Sequence, residues 1–443
     1  MNTITDAVVI GGGIAGLQVA LDLADQGFDV VIVEKEPSIG GKMISLSKVF
    51  PTLDCSSCIC TPRMAAAAHH ERITIMTCSE VQAVQRVGEH FSVTIRTRPR
   101  YVIESACIGC RKCEYACPVL VPHEFEGNLG ARRAIYVPFT NAMPQVALLD
   151  VENCTFCGAC ARACPTDAID YLQEPAITEM EAGAVVVASG YALTETQTAD
   201  RYGGGKLANV LTGLQMERLL APHGPYGRVL RPSDGRIPDT VAFVQCAGSR
   251  DHSLPEGQGV PWCSRVCCMY AIKQAMLLSG SLPLVDITIY YMDIRAFGKG
   301  FEQFYQNARA MGINFVKARV ARITEGENAN PVLRIERIEE DGRVEDQPHD
   351  MVVLTPGIVA GWDPSSVIPV QIGSDGFVLS EHASLAPCRT RVPGVFVAGT
   401  ASGPKDIPDS IVEAGAAAME AANHLRRTAY ASRRRTEAEA GGR

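Results

Sequence analysis

The chain has 443 residues, 47% of them hydrophobic, and a net charge of −8 at pH 7. That length supports two or three domains with a large core, and the negative charge excludes a nucleic-acid partner. There is no apolar run of about 18 residues to cross a membrane and no basic segment leading into an apolar stretch at the start to act as a signal peptide. A cytoplasmic chain is therefore expected, whose 17 cysteines serve metal or redox chemistry rather than disulfides.

Residues 7–41 read AVVIGGGIAGLQVALDLADQGFDVVIVEKEPSIGG. An apolar strand runs into Gly11-x-Gly13-x-x-Gly16, then an amphipathic helix, then a second strand ending at Glu34. This is the dinucleotide fingerprint with its acid about 20 positions on. Gly11 makes the tight turn, Gly13 lets the backbone approach the pyrophosphate at the helix N-terminus, Gly16 lets helix pack on strand, and Glu34 accepts from the ribose hydroxyls. Gly40-Gly41-Lys42 after the acid is typical of FAD-binding rather than NAD-binding chains. Cys55, Cys58 and Cys60 follow. Only three cysteines lie close there, with Cys78 the nearest fourth, so a cysteine-rich loop beside the flavin is favoured over part of a metal site. Cys78 and Cys388 read as structural.

After short strands over residues 73–97 comes Cys107-x2-Cys110-x2-Cys113-x3-Cys117-Pro118, repeated as Cys154-x2-Cys157-x2-Cys160-x3-Cys164-Pro165. This is the pattern of a two-cluster bacterial ferredoxin, in which the fourth cysteine of each run reaches across to the other cluster. Cys107, Cys110, Cys113 and Cys164 are thus expected to hold one [4Fe–4S] cluster, and Cys154, Cys157, Cys160 and Cys117 the other. Within the connection between them, ARRAIYVPF reads as an added strand or contact surface. AVVVASGY at 184–191 resembles the strand and turn closing an FAD domain, which makes the ferredoxin unit an insertion.

Residues 192–238 are rich in Gly and Pro and read as an irregular connection. A second α/β unit begins at Asp239, where a buried strand leads into Cys246-Ala-Gly-Ser-Arg rather than a second glycine fingerprint. Cys263, Cys267 and Cys268 open the next helix. Four cysteines at the C-terminal end of a strand and the start of the following helix fall where α/β sheets place ligands. They favour an iron–sulfur cluster or a metal; the competing reading is small buried hydrophobes. Near the end, GVFVAGTASGPKDIPDSIVEAG reads as strand, loop and helix. It forms the second half of an FAD site, with Gly399, Thr400 and Ile411 facing the cofactor. The tail is charged and expected to be disordered. The histidines, His69 and His70 included, show no metal-ligand spacing, and no general acid or base stands out.

The expected fold is α/β: a pair of dinucleotide-binding domains with an inserted two-cluster ferredoxin domain. The expected division is 1–97 and 358–425 for the FAD domain, 98–173 for the ferredoxin insertion, 174–235 for domain closure and linker, 236–357 for the second α/β domain, and 426–443 for the tail.

Over most of residues 5–423 these motifs resemble one family, the flavin-carrying A subunit of heterodisulfide reductases and its relatives in similar complexes. The stretches carrying the resemblance are GGGIAGLQVALDLADQGFDVVIVEK, FPTLDCSSCICTPRM, the doubled ferredoxin motif, the Cys246/Cys263/Cys267/Cys268 set, DIRAFGKGFEQFY and GTASGPKDIPDSIVEAGAAA. The resemblance implies a thioredoxin-reductase-like fold, one FAD and three [4Fe–4S] clusters. It implies a complex with subunits like heterodisulfide reductase B and C or with other redox subunits, membrane contact only through partners, and room for a homodimer. It also makes Lys273 the lysine near the flavin's reactive N5 edge, there to stabilise negative charge on reduced flavin. The chain departs from the long methanogen form in lacking its N-terminal extension and C-terminal ferredoxin domain, which leaves partner identity and electron bifurcation open. Shorter relatives serve the quinone-interacting membrane-bound oxidoreductase, methylenetetrahydrofolate reductase and aromatic-ring-reducing assemblies. The expected function is an electron-transferring FAD/iron–sulfur subunit. The competing reading is an NAD(P)H-dependent reductase resembling the glutamate synthase small subunit; it needs the second glycine fingerprint that residues 239–250 do not supply. A non-catalytic scaffold leaves the FAD fingerprint unexplained.

Overall fold

The structure, a computed structural model, describes residues 3–194, 201–253 and 258–428. The tail expected to be disordered lies outside the described residues from 429 onward. The chain opens with β1 (Thr3–Ile10), α1 (Ile14–Ala24) and β2 (Val30–Val33), followed by α2 (Ser56–His69), β3 (Ile73–Met76) and the hairpin β4 (Ser79–Val87) and β5 (His90–Thr97). The insertion carries two one-turn helices, α3 (Lys112–Ala116) and α4 (Ala159–Ala163), and two short antiparallel ladders that pair 120–122 with 131–133 and 135–136 with 148–149. The ARRAIYVPF stretch thus supplies one strand to each ladder.

The twelve-residue β6 (Ala176–Val187) explains why an insertion is tolerated here. Its first half runs antiparallel to β5 with Ala176 opposite Thr97, so the chain leaves and re-enters the sheet at neighbouring positions. The host ladder is therefore undisturbed by what lies between. Its second half lies parallel to β1 and, over Val185–Val187, to the late strand Val395–Val397.

Residues read as an irregular connection instead contribute β7 (Val210–Thr212) and α5 (Gly213–Leu220) to the second unit. A capping box closes α5: Gln215 N–H donates to Thr212 Oγ1 at 3.3 Å and Thr212 N–H to Gln215 Oε1 at 2.8 Å. The rest of this unit is β8 (Thr240–Ala247), α6 (Cys267–Ser281), β9 (Asp286–Tyr291), α7 (Phe301–Ala310), β10 (Asn314–Glu325), β11 (Pro331–Arg337), β12 (Arg343–Pro348) and β13 (Met351–Pro356). The strand order is β7-β13-β8-β9-β10-β11-β12, parallel through β10 and antiparallel thereafter.

Both faces of the β8 and β13 strands are covered, which is why they read as unbroken apolar runs. Val241, Phe243, Met351 and Val353 pack with Met269, Ala271 and Ile272 of α6. Ala242, Val244, Val352 and Leu354 pack with Val320, Leu333 and Ile335 of the meander. The chain then returns to the first sheet through β14 (Val395–Val397) and α8 (Ile407–Arg427). The first sheet runs β3-β2-β1-β6-β5-β4, with β14 beside β6. Buried alanines of α8 (Ala414, Ala417, Ala418, Ala421) join the core that holds α1, and their small side chains permit close approach.

Candidate redox site

The β1–α1 turn has room for backbone only. A Cβ on Gly16 would stand 1.9 Å from the Gly11 carbonyl oxygen, and one on Gly11, at φ +109°, 2.3 Å from that of Ala188. Gly41, at φ +55°, approaches Gly13 so closely that its Cβ would meet the Gly13 Cα at 2.8 Å. Glu34, buried at the end of β2, accepts from Gly12 N–H at 2.7 Å and Glu36 N–H at 2.8 Å. Each carboxylate oxygen keeps a further lone pair for a ribose hydroxyl. Burial raises the Glu34 carboxyl above its usual range, opposed by those two N–H bonds. The C-terminal half closes on the same place: a Cβ on Gly399 would meet Ala15 Cβ at 2.7 Å. Thr400 and Ile411 are half-buried nearby in sequence, on the 3-10 turn Gly399–Ser402 and on α8, whose N-cap Asp406 accepts from Asp409 N–H at 2.8 Å. Lys42 is exposed, its Nζ 5.2 Å from the centre of the Tyr191 ring. Glycines that no side chain can replace, a buried acid and a helix N-terminus fit a dinucleotide.

In the insertion, each motif turns through a left-handed residue, Arg111 (φ +61°) before α3 and Gly158 (φ +72°) before α4. These turns aim Cys113 and Cys160 inward. One cavity is lined by Cys107, Cys110, Cys113 and Cys164, the crosswise grouping. Burial, and then the like charge of the Cys107, Cys110 and Cys164 sulfurs, pushes the Cys113 thiol up to about 12. In the other motif Cys160 Sγ lies 3.0 Å from Tyr171 Oη, and the charges of Cys154 and Cys157 are felt at the same phenol. Cys117 is buried in the same small core. Sequence reasoning missed Tyr171, because a tyrosine seven residues past the motif carries no spacing signal.

The second unit brings Cys246, Cys263, Cys267 and Cys268 together across 22 residues of sequence. A bulge at the end of β8 puts Cys246 at φ +57°, and its N–H donates to Thr355 Oγ1 at 3.1 Å. Cys267 and Cys268 sit in the first turn of α6, buried, with sulfurs 4.0 Å from Pro356 O and 3.9 Å from Asp293 O. Burial pushes the Cys246 thiol up to about 12, the charge of Cys268 adding and that of Arg250 opposing. Cys267 and Cys268 are buried and Cys246 and Cys263 half-buried, and neighbouring thiols with so little water do not ionise together unless a cation replaces the lost hydration, which is the service a metal centre renders its thiolates. Among the described residues no three acidic, histidine or cysteine side chains stand close enough to grip a single metal ion.

The units meet at Lys273. Its Nζ, 1% exposed as a residue, donates to Lys48 O at 2.8 Å and is ion-paired with Glu217. Burial pushes the Lys273 ammonium down, Glu217 pulling it back. Glu217 also accepts from Ser47 N–H at 3.0 Å, Ser47 Oγ–H at 2.7 Å and the Gln274 amide. Arg218 next to it reaches the insertion, donating to both carboxylate oxygens of Glu126 at 3.0 Å. Glu217, Ser47 and Gln274 escaped sequence reasoning because α5 did. Cys55, Cys58 and Cys60, expected in a loop, form the N-cap and first turns of α2.

Two family descriptions match segments of the chain: an FAD dependent oxidoreductase over residues 6–44 and a 4Fe-4S dicluster domain over residues 106–169. The chain is 44% identical over 424 residues to the A subunit of the H(2):CoB-CoM heterodisulfide,ferredoxin reductase of Methanothermobacter marburgensis, covering 94% of this chain and 63% of that protein. It is 46% identical to the second iron-sulfur A subunit of the CoB--CoM heterodisulfide reductase of Methanopyrus kandleri, covering 95% and 65%. The chain thus spans less than two thirds of these relatives. Among solved structures, thioredoxin reductases from T. acidophilum (TM-score 0.53, 15% identity, 95% and 98% covered) and Lactococcus lactis (TM-score 0.53, 12% identity, 96% and 100% covered) share its fold. The fold is therefore the thioredoxin-reductase-like pair of α/β units with an inserted dicluster ferredoxin segment, and the segment matches assign FAD and [4Fe–4S] clusters as its cofactors. No described helix is long and apolar enough to cross a membrane.

Proposed function

The chain is a relative of the heterodisulfide reductase A subunits over nearly its whole length, and on that premise we propose that it is an electron-relaying FAD/iron–sulfur oxidoreductase subunit working with partner redox subunits of the heterodisulfide reductase B and C kind. The observation that carries this reading is the gathering of three groups of thiols around one dinucleotide fold. FAD exchanges electrons in pairs and a [4Fe–4S] cluster one at a time. Cys107, Cys110, Cys113 and Cys164 hold one cluster, Cys154, Cys157, Cys160 and Cys117 the second, and Cys246, Cys263, Cys267 and Cys268 the third. Gly11, Gly13 and the α1 N-terminus receive the pyrophosphate, Gly16 sets the helix against the strand, and Glu34 orients the ribose. Gly399, Thr400 and Ile411 close the other side, with Lys42 at the rim. Lys273 brings fixed positive charge to the junction, held by Glu217 and the Lys48 carbonyl. Burial of Cys267 and Cys268 keeps water from one side of the third group. The cytoplasm, where thiols stay reduced, suits a chain with this many of them.

The competing NAD(P)H-dependent reductase lacks its glycine fingerprint: β8 ends in a cysteine-bearing bulge where such a loop belongs. Anaerobic stopped-flow mixing separates the two. The relay predicts that NADPH alone leaves the flavin absorbance near 450 nm unbleached on the scale of seconds, while a low-potential one-electron donor bleaches it. Rapid bleaching by NADPH alone would sink the relay in favour of the reductase.

A further inference from the structure

Cys55 and Cys58 are used by neither the flavin turn nor the cysteine quartets. Cys55 is the N-cap of α2, and its sulfur accepts from Cys58 N–H at 3.2 Å. A C-x-x-C pair that starts at a helix N-cap sets its two side chains one turn apart on the same face, the spacing across which a disulfide can close. Cys58 is exposed and Cys55 half-buried, so a small molecule can reach them. Cys60, the third cysteine of the run, is different: it is buried with its sulfur 3.8 Å from Gly40 O, and burial pushes its thiol up to about 12. It remains a packed thiol and does not compete. Pro62 within α2 offers no N–H to the Cys58 carbonyl four residues back, which loosens the helix next to the pair. An isolated antiparallel bridge joins Cys55 to Lys48, whose carbonyl holds Lys273, so the pair is two links from the junction of the units.

We propose that Cys55 and Cys58 are a redox-active dithiol that exchanges with small soluble disulfides. The Cys55 thiolate attacks one sulfur of RS–SR, forming a Cys55–SR mixed disulfide and releasing RS⁻, which takes up a proton. Cys58 then loses its proton and attacks the Cys55 sulfur, displacing the second RS⁻. One external disulfide becomes two thiols, the protein dithiol becomes the Cys55–Cys58 disulfide, and two electrons and two protons have moved outward. Return of the pair to the dithiol by the flavin rests on the function proposed above; the exchange itself does not.

The test uses the anaerobically purified holoprotein, equilibrated in reduced and oxidised glutathione buffers, acid-quenched, alkylated and analysed by mass spectrometry of the peptide holding residues 55–63. The expected result is a Cys55–Cys58 disulfide whose fraction follows the glutathione ratio and is reversed by dithiothreitol. C58S should accumulate glutathione on Cys55, C55S should form no disulfide, and both should keep wild-type iron and flavin. Two cysteines that stay fully alkylatable across the whole buffer range would overturn the proposal. So would loss of about four irons in either variant, which would make the pair cluster ligands. A wild-type preparation that binds no flavin would count against the relay alone, since the mass shift still decides the exchange.

Discussion

Replacing Glu217 with Ala takes an acceptor from four donors in a site where Lys273 and Glu217 side chains are each 2% exposed: the Lys273 ammonium, Ser47 N–H and Oγ–H, and the Gln274 amide. Lys273 keeps only the Lys48 carbonyl, a neutral acceptor for a buried cation. Breaking a buried ion pair from one side costs about 3–5 kcal/mol, because the other charge stays behind uncompensated. At about 2–4 °C per kcal/mol for a cooperative unit of 150–250 residues, E217A should lower the melting temperature by roughly 6–20 °C. Adding K273M removes the stranded charge, and since apolar replacement of a whole pair is often neutral, the double variant should recover at least half of the loss. The assay is anaerobic calorimetry of holoprotein at one fixed scan rate for all variants. A drop below about 1 kcal/mol for E217A, or a double variant whose loss equals the sum of the singles, would refute a coupled buried pair.

Gly16→Ala places a methyl group 1.9 Å from the Gly11 carbonyl oxygen and must push α1 off β1; flavin bound per chain should fall at least severalfold by absorbance, whereas Gly280→Ala, with nothing within 4 Å, should leave it unchanged. Equal flavin in both variants would mean the turn does not cradle the cofactor. Burial holds the His349 imidazole down at about 4, with Nε2 3.0 Å from Tyr290 Oη. The unfolded chain therefore takes up this proton first as pH falls through about 6.5, and stability drains away between there and pH 4; from pH 7.5 to 5.5 the loss is about 1.4 kcal/mol. His349→Gln should remove that portion of the acid sensitivity in melts at the two pH values, and an unchanged slope would count against it.

The local motifs were legible because their chemistry fixes short spacings. Gly11, Gly13, Gly16 and Glu34 lie within one β–α–β unit, and each ferredoxin run fits around a single turn. Cys164 in the cavity of Cys107, Cys110 and Cys113 follows the same logic, since the proline-bounded fourth cysteine must point away from its own run. Long-range pairing left no such trace. Glu217 and Lys273 are 56 positions apart, and α5 is an eight-residue helix set among the glycines and prolines of residues 192–238, where composition speaks for a loop. α2 was hidden differently: Ser, Cys, Thr and Pro are poor helix interiors, yet Ala65, Ala66, Ala67 and Ala68 carry the second half, and packing of Cys60, Met64 and Ala67 into the first core secures it.

The central claim is that Cys246, Cys263, Cys267 and Cys268 complete a third cluster beside one flavin. Iron, sulfide and flavin should be quantified on anaerobically prepared protein, followed by EPR during a redox titration, as clusters of this class span roughly −700 to +450 mV. The account predicts about twelve irons and one FAD per chain, with three separable cluster signals, since each [4Fe–4S] centre holds four irons. About eight irons and only two signals would contradict it, leaving a flavoprotein with an attached ferredoxin and four clustered thiols that bind nothing.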